Sequence, residues 1–318
     1  MPNKPTVSVC MITYNHEAYI AQAIEGVLMQ KADFPVKLVI SDDASTDRTL
    51  EICLDYERMH PGMLKVLRRE GNLGMSKNFI DTLSHCKGEY VALCEGDDYW
   101  TDPQKLQKQV DFLGSNRDFT ICFHNALIVH EQGDIAPHLS NATISEELGF
   151  DDILGRRFFM TASCVFRNGQ FGELPPSLIL FDWVLHLLNS KNGKIKYLPD
   201  VMAVYRKQEG GWSNLDQAKK LKQVIETIEA CRDYFGEEYA DKFNTTLSST
   251  YASDSLYYFQ RGDYDQFRKS YERGEKYKSH LSKRTQAALY LRLLLSRWKS
   301  GADGFNFIRS HLKRTENF

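Results

Sequence analysis

Short apolar runs alternate with helical patterns over the first hundred residues of the chain. Four runs have the length of buried strands, at residues 7–12, 36–40, 64–67 and 90–94. The segments between them place apolar residues at helical spacing, as Ile20, Ala23, Ile24 and Val27 do. Strands that alternate with helices of this length predict βαβ units and a mostly parallel sheet.

The middle of the chain continues this mixed pattern. Further apolar runs predict strands at 119–123, 125–129 and 161–166, and a strand pair at 194–205, while 131–150 is typical of a surface excursion. From about residue 215 the apolar spacing is helical. We therefore predict a Rossmann-like α/β domain at 1–213 and an all-helical region at 214–318.

Three of the first four strands end in small, hydroxyl-bearing or acidic residues. Thr13 follows the first strand, Ser41-Asp42-Asp43 the second, and Glu95 the fourth. Helix capping would explain Ser45, Thr46 and Asp47 individually. It does not explain three polar tails at the carboxyl edge of one parallel sheet, where a nucleotide would bind.

The tail after the fourth strand is the most acidic of these. Glu95, Asp97 and Asp98 fall within four residues, and such carboxylates repel one another unless water or a cation offsets their charge. A hard divalent cation that holds a diphosphate would suit them. The alternative is a solvated acidic loop before a helix that has Asp102 as its N-cap and Pro103 as its first residue.

Composition narrows the class of protein. The chain has 40 Lys and Arg against 42 Asp and Glu, so its net charge does not indicate a nucleic-acid partner. Its seven cysteines form no C-x-x-C pair, which suits buried thiols in a reducing cytosol. Residues 7–12 are too short for a signal peptide, and no 18 apolar residues run together. We expect a cytoplasmic protein.

The end of the chain is basic. Residues 281–318 contain eight Lys or Arg and two acids, and several leucines lie between 286 and 298. A helix that packs on its neighbours is one interpretation. The other is an amphipathic basic surface in peripheral contact with the inner face of the cell membrane. A homo-oligomer is also compatible with the sequence.

Four motifs together are similar to the family-2 glycosyltransferases of GT-A fold. They are V-S-V-x-M-I-T-Y-N-H-E-x-Y-I from Val7, V-I-S-D-D-A-S-T-D-R-T from Val39, N-L-G from Asn72 and G-E-Y-V-A-L-C-E-G-D-D-Y-W from Gly88. The resemblance implies an inverting transferase that moves a sugar from a nucleotide-sugar, a UDP-sugar by resemblance, to a hydroxyl group. The acceptor would be a saccharide or lipid-linked saccharide in cell-surface polysaccharide or lipopolysaccharide synthesis.

The resemblance also implies a set of nucleotide-binding residues. The loop after the first strand and Asp43 would hold the base and ribose. Asn72 and Lys77, near the third helix, would contact the base or phosphate. The residues are Thr13, Tyr14, Asn15, Glu17, Asp43, Asn72 and Lys77, with Asp97 facing the ribose or the metal. A helix that begins near Lys77 would favour anions at its N-terminus.

The cation is Mg²⁺ or Mn²⁺ by the same resemblance, with Asp97 and Asp98 as ligands. Gln208 stands where the family often has a histidine that completes the metal shell, and its amide oxygen would suit Mg²⁺. Arg206 would face the diphosphate, although an exposed loop arginine is an equal alternative. Trp212 lies beside two glycines in a loop that could close over the donor.

Asp182 is the predicted catalytic base. It follows an apolar run and opens a helix, at the position where the family carries its base; without the resemblance it would be an N-cap aspartate. A positioned carboxylate takes the proton of a weakly nucleophilic acceptor hydroxyl. A base on the face opposite the leaving group leads to inversion at the anomeric carbon.

Two other functions stay open at this point. A nucleotide-sugar-binding protein without transferase activity is favoured by Gln208. A sugar nucleotidyltransferase would need a glycine-rich phosphate loop after the first strand, where Thr13-Tyr14-Asn15-His16-Glu17 stands instead. The G-x-x-x-x-G-K-[ST] motif of nucleotide triphosphatases does not occur either.

Overall fold

A computed structural model of the chain describes residues 6–141, 144–154, 160–170, 181–208 and 216–299. The chain forms two compact units, Met1–Asn214 and Leu215–Phe318.

The first part of the N-terminal unit consists of strand–helix repeats. Its elements are β1 (Val7–Thr13), α1 (Ile20–Leu28), β2 (Val36–Asp42), α2 (Thr49–Met59), β3 (Leu64–Arg68), α3 (Met75–Ser84) and β4 (Tyr90–Leu93). Every residue of β1 and β4 is buried. Strands covered on both faces are nearly continuous apolar runs, which is why their sequence pattern was clear.

The second part of this unit mixes parallel and antiparallel strands. Its elements are β5 (Tyr99–Trp100), α4 (Lys105–Ser115), β6 (Phe119–His130), β7 (His138–Leu139), β8 (Glu147–Leu148), α5 (Phe150–Leu154), β9 (Val165–Arg167), α6 (Phe181–Ser190) and β10 (Lys194–Lys207).

One sheet runs through the whole unit. Its strand order is β3-β2-β1-β4-β9-β6-β10-β5, with β7 paired to β6 and β8 paired to β10. The pairs β1–β2, β1–β4, β2–β3 and β6–β10 are parallel, whereas β9 is antiparallel to both β4 and β6. The predicted α/β class with a mostly parallel central sheet is confirmed.

The structure joins strands that the apolar runs divide. Residues 119–123 and 125–129 lie in one strand, because β6 keeps its pairing with β10 on both sides of His124. The strand pair predicted at 194–205 is also a single strand, which continues past Pro199 with register shifts between Leu198 and Val201.

Two other predicted elements begin later than expected. The strand predicted at 161–166 starts as a 3₁₀ turn at Thr161–Ser163, where the Ser163 hydroxyl donates to the Met160 carbonyl at 2.7 Å. Helix α4 begins at Lys105, two residues after Pro103, but the Asp102 side chain accepts a hydrogen bond from the Gln104 backbone N–H at 2.8 Å, as an N-cap residue does.

The C-terminal unit is helical, as predicted. Its helices are α7 (Gln217–Phe235), α8 (Glu237–Gln260), α9 (Tyr264–Glu275) and α10 (Lys283–Lys299). Gly262, at φ +75°, ends the α8 turn, and the Asp263 side chain accepts from the Gln266 N–H to start α9. Among the described residues, no helix has the length and apolar character needed to cross a membrane.

Helix α10 has one buried face. Leu289 and Leu293 are buried, whereas Leu291 is 58% exposed. This arrangement agrees with a helix that packs on its neighbours. Contact of its outer face with a membrane stays a prediction.

Candidate active site

A cleft of about 340 Å³ opens at the carboxyl ends of β1, β2 and β4. The predicted polar tails meet there, and the lining includes Thr13, Tyr14, His16, Asp43, Asn72, Glu95, Asp97 and Arg206. A larger cavity of about 650 Å³ lies among α8, α9 and α10, but none of the predicted site residues lines it. The smaller cleft is therefore the candidate site.

The acidic loop after β4 holds three carboxylates at close range. One oxygen each from Glu95, Asp97 and Asp98 lies within 4.8 Å of the others. Burial, Asp97 and Asp182 raise the pKa of Glu95 to about 8. Burial together with the charges of Asp97 and Glu95 also raises the pKa of Asp98. Negative charge in this loop is thus costly without a compensating cation.

Asp98 supplies the clearest sign of a missing partner. Its side chain is fully buried, and Oδ1 accepts a hydrogen bond from the Arg206 backbone N–H at 2.9 Å. Oδ2 has no hydrogen-bond partner among the residues the structure describes. A buried carboxylate oxygen without a partner, beside two further carboxylates, fits Mg²⁺ or Mn²⁺, because these hard cations prefer oxygen ligands.

Gly96 allows the acidic loop to approach the loop after β1. A Cβ at this position would lie 2.5 Å from Thr13 Oγ1 and 3.0 Å from His16 Nδ1. The Gly96 N–H donates to the Ile12 carbonyl at 3.0 Å. Glycine is therefore needed here for close packing of two loops.

Asp97 lines the cleft and is held from two directions. Its Oδ2 accepts a hydrogen bond from Gln208 Nε2 at 2.9 Å, and its backbone carbonyl accepts one from Arg206 at 2.8 Å. Gln208 is thus positioned beside a predicted metal ligand, although in this arrangement its amide nitrogen, not its oxygen, faces the carboxylate.

Arg206 is buried and well bound. Besides Asp97, its guanidinium donates to Gln22 and pairs with Glu131 at 3.2 Å, and it stacks 4.4 Å from the Tyr99 ring centroid. These contacts rule out the exposed loop arginine considered as an alternative. They make Arg206 a support for the acidic loop, and its contact with a diphosphate stays a prediction.

Asp43 forms the opposite wall of the cleft. Its two carboxylate oxygens accept hydrogen bonds from the backbone N–H groups of Leu73 and Gly74, at 2.8 and 3.0 Å. Asn72 donates from its side chain to the Asp43 carbonyl at 3.1 Å. A turn in which Gly74 has a positive φ thus brings Asp43 and Asn72 together. Contact of either residue with a nucleotide stays a prediction.

Three of the predicted nucleotide-binding residues do not line the cleft. Asn15 accepts a hydrogen bond from the Thr46 backbone N–H at 2.8 Å, and Glu17 accepts one from that of Arg48 at 2.9 Å. These two side chains therefore fasten the β1 loop to the start of α2. Lys77 is exposed on α3. A nucleotide contact of any of the three stays a prediction.

The structure adds a residue that the sequence analysis missed, which is His16. Its Nδ1 lies 3.1 Å from Thr13 Oγ1, and its Nε2 lies 3.9 Å from Asp97 Oδ2. Burial lowers the pKa of His16, and the charge of Asp97 partly opposes this shift. The sequence feature that could have indicated it is a titratable side chain between Asn15 and Glu17, in the loop already predicted to bind the nucleotide.

Asp182 lies in the first turn of α6 and is partly exposed. Its negative charge raises the pKa of Glu95, so the predicted base and the acidic loop are within electrostatic reach of each other. The Trp183 indole N–H donates to the Ile153 carbonyl at 2.8 Å and anchors the start of the helix. The other predicted loop residue, Trp212, lies outside the described residues.

A mostly parallel α/β sheet with an acidic cleft at its carboxyl edge defines a GT-A-like domain. The chain belongs to glycosyl transferase family 2, whose model matches residues 8–208. It is 40% identical over 206 residues to the uncharacterized protein Rv1520 of Mycobacterium tuberculosis, a match that covers 64% of this chain and 60% of that protein. The chain thus spans well under two thirds of the length of this curated relative.

Two solved structures are similar in fold. S. aureus TarS 1–349 in complex with UDP-GlcNAc superposes with a TM-score of 0.56 at 20% identity, covering 85% of this chain and 92% of that one. The mannosyltransferase PcManGT from Pyrobaculum calidifontis, in complex with GDP-Man and Mn²⁺, has a TM-score of 0.54 at 17% identity, covering 94% and 89%. The predicted membership of a family-2, GT-A-type glycosyltransferase group is confirmed.

Proposed function

We propose that this chain is an inverting, metal-dependent glycosyltransferase that moves a sugar from a UDP-sugar to a hydroxyl group of a saccharide or lipid-linked saccharide. One observation carries the proposal. The carboxylates of Glu95, Asp97 and Asp98 crowd one side of the cleft, with Asp98 Oδ2 unpaired among the described residues, and the charge of Asp182 acts on the same group.

The metal and the donor have separate support. TarS was solved with UDP-GlcNAc, and PcManGT was solved with GDP-Man and Mn²⁺. At 20% and 17% identity they establish the fold alone, so the choice of uridine rests on the resemblance of the motifs. The unpaired oxygen of Asp98 is what supports a cation in this chain.

The acidic groups and the cleft walls have distinct tasks in this reaction. Asp182 accepts the proton of the acceptor hydroxyl as that oxygen attacks the anomeric carbon, a contribution of about 10²–10⁴ in rate. A divalent cation on the acidic loop would supply neutralisation of the charge on the departing diphosphate. Asp43 and Asn72 hold the nucleoside at the other wall. Attack from the side opposite the diphosphate inverts the anomeric configuration.

The biological setting is part of the proposal. Synthesis of a cell-surface polysaccharide or lipopolysaccharide on the inner face of the membrane would suit a basic α10 and a lipid-linked acceptor. The second candidate is a nucleotide-sugar-binding protein without transferase activity. The hydrogen bond from Gln208 to Asp97 Oδ2 favours it, because it occupies an oxygen that a metal would use.

Asp182→Asn separates these functions. We expect UDP-sugar turnover with Mn²⁺ or Mg²⁺ to fall by about 10²–10⁴ in this variant, while thermal stabilisation by UDP and Mn²⁺ is unchanged. Asp200→Asn is the matched control, since Asp200 is an exposed partner of Lys108. Full turnover in Asp182→Asn would mean that another group is the base. Nucleotide binding with no turnover in the wild type would favour the binding protein.

A further inference from the structure

Two side-chain nitrogens approach the same oxygen of the acidic loop. Gln208 Nε2 lies 2.9 Å from Asp97 Oδ2 and makes a hydrogen bond. His16 Nε2 lies 3.9 Å from that oxygen, which is too long for a hydrogen bond. His16 thus points a ring nitrogen toward the carboxylate without bonding to it.

The position of this imidazole is determined by several contacts. The His16 backbone N–H donates to Thr49 Oγ1 at 2.8 Å, and its carbonyl accepts from the first N–H groups of α1. Nδ1 is held at 3.1 Å by Thr13 Oγ1. Only the missing side chain of Gly96 allows the ring to lie where it does. His16 is therefore built into the site, although it is neither part of the core nor free in solvent.

The geometry suits one role better than a direct bond to Asp97. Nε2 lies 3.9 Å from Asp97 Oδ2, which is too long for a hydrogen bond but within the span of two ligands of one ion. A neutral imidazole that donates Nδ1–H to an oxygen presents the lone pair of Nε2, the arrangement found in metal-ligating histidines. Thr13 Oγ1 lies 3.1 Å from Nδ1, within reach of such a bond.

We propose that His16, through Nε2, is a ligand of the divalent cation that Asp97 holds. This inference rests on the proposed function and extends it, because it names a residue on the β1 loop as part of the cation site. The imidazole would join the carboxylates of Asp97 and Asp98, and diphosphate oxygens and water would complete the set. The nitrogen ligand would favour Mn²⁺ over Mg²⁺.

The test is pulsed electron paramagnetic resonance of Mn²⁺ bound to the full chain with UDP. We expect a ¹⁴N coupling from a directly bound imidazole alongside the ³¹P coupling of the diphosphate. His16→Gln should lose the ¹⁴N coupling, keep the ³¹P coupling, and bind Mn²⁺ at least about tenfold more weakly. The ratio of Mn²⁺ to Mg²⁺ affinity should fall with it.

His85→Gln is the matched control. His85 is a partly exposed histidine at the end of α3 whose Nδ1 lies 2.8 Å from the Asp81 carbonyl, and it does not line the cleft. It should keep both couplings and the wild-type affinity. Should His16→Gln fold poorly, wild-type protein labelled with ¹⁵N-histidine gives the same answer, since the ¹⁴N pattern must then change to that of ¹⁵N.

The outcomes distinguish this inference from the proposed function. A ³¹P coupling without ¹⁴N coupling in the wild type, or a ¹⁴N coupling that survives in His16→Gln, overturns the role of His16 and leaves the metal-dependent transferase intact. Absence of any Mn²⁺ binding in the presence of UDP overturns both. Weaker UDP binding by His16→Gln in EDTA, with unchanged Mn²⁺ affinity, would make His16 a structural residue of the loop and also overturns the inference.

Discussion

Two adjacent aspartates stand at the end of β2 and again in the loop after β4, at the same edge of the sheet, yet the second aspartate of each pair has different surroundings. Asp43, in the first pair, receives two backbone N–H groups on its carboxylate. Asp98, in the second, keeps Oδ2 unpaired among the described residues and has Glu95 and Asp97 as neighbours. The protein thus compensates both oxygens of Asp43 and leaves one oxygen of Asp98 uncompensated, although Asp42 Oδ1 also lacks a partner among the described residues.

The difference separates an aspartate that the folded protein stabilises by itself, Asp43, from one that would be stabilised by a bound cation, Asp98. Hydrogen bonds from a preformed turn stabilise a carboxylate in the folded protein itself. Crowded carboxylates cost stability until a cation arrives, and proteins commonly accept such a cost at functional sites. Substitutions in the two loops should therefore have opposite effects on stability and function.

Asp97→Asn should have the largest effect of all on activity. Loss of a metal ligand removes several kcal/mol of transition-state stabilisation, so we expect sugar transfer to fall at least about a thousandfold. Without metal, the variant should be as stable as the wild type or more so, because one repelling charge is gone. Turnover assays and thermal unfolding in EDTA measure the two effects. Asp111→Asn, on the outer face of α4, should change neither.

Gly96→Ala should come next. The added methyl would meet Thr13 and His16 at 3.0 Å or less, and overpacking of this kind typically costs about 1–3 kcal/mol. We expect a lower unfolding midpoint and weaker Mn²⁺ binding. Gly114→Ala, in α4, is the control, since its Cβ would meet nothing closer than 4.0 Å. If Gly96→Ala had the same unfolding midpoint and Mn²⁺ affinity as Gly114→Ala, the close approach of the two loops would contribute to neither.

The sequence predicted the fold well because β1 and β4 are buried on both faces and their apolar runs are unbroken. It predicted the carboxyl edge as the site because three strands end there in polar residues, and the cleft opens at that edge. The sequence could not show which aspartate pair lacks hydrogen-bond donors, since Asp42-Asp43 and Asp97-Asp98 are the same dipeptide. The donors that stabilise Asp43 come from a part of the chain far away in sequence. The N–H groups of Leu73 and Gly74 are some thirty residues away from Asp43.

The β1 loop shows a second limit of prediction. Asn15 and Glu17 were predicted at the nucleotide, and His16 was passed over. Asn15 has φ +56°, and this local bend turns its neighbour toward the cleft while Asn15 bonds to Thr46. A motif alone does not show which side chain of a bent loop faces the ligand.

Asp43→Asn tests the compensated loop. The amide keeps the shape of the carboxylate but replaces one acceptor with a donor, so the N–H of Leu73 or Gly74 loses its partner. We expect a loss of about 1–3 kcal/mol in the free energy of unfolding, with or without metal. Denaturant unfolding would measure it, together with UDP affinity. An unchanged stability would show that the turn does not depend on this carboxylate.

The crowded carboxylates of the loop after β4 should also make stability depend on pH. The pKa of Glu95 is raised from its ordinary 4.5 to about 8 in the folded protein. Between these values the folded chain keeps a proton that the unfolded chain has released, so stability falls as pH rises from about 5 to 8. In EDTA, the Tm of the wild type should therefore decrease over this range more than that of Glu95→Gln. Mn²⁺ with UDP should reduce or reverse the decrease, because the cation replaces the proton. If the Tm of both proteins fell equally with pH in EDTA, repulsion of the Glu95 charge would not be the cause of the pH dependence.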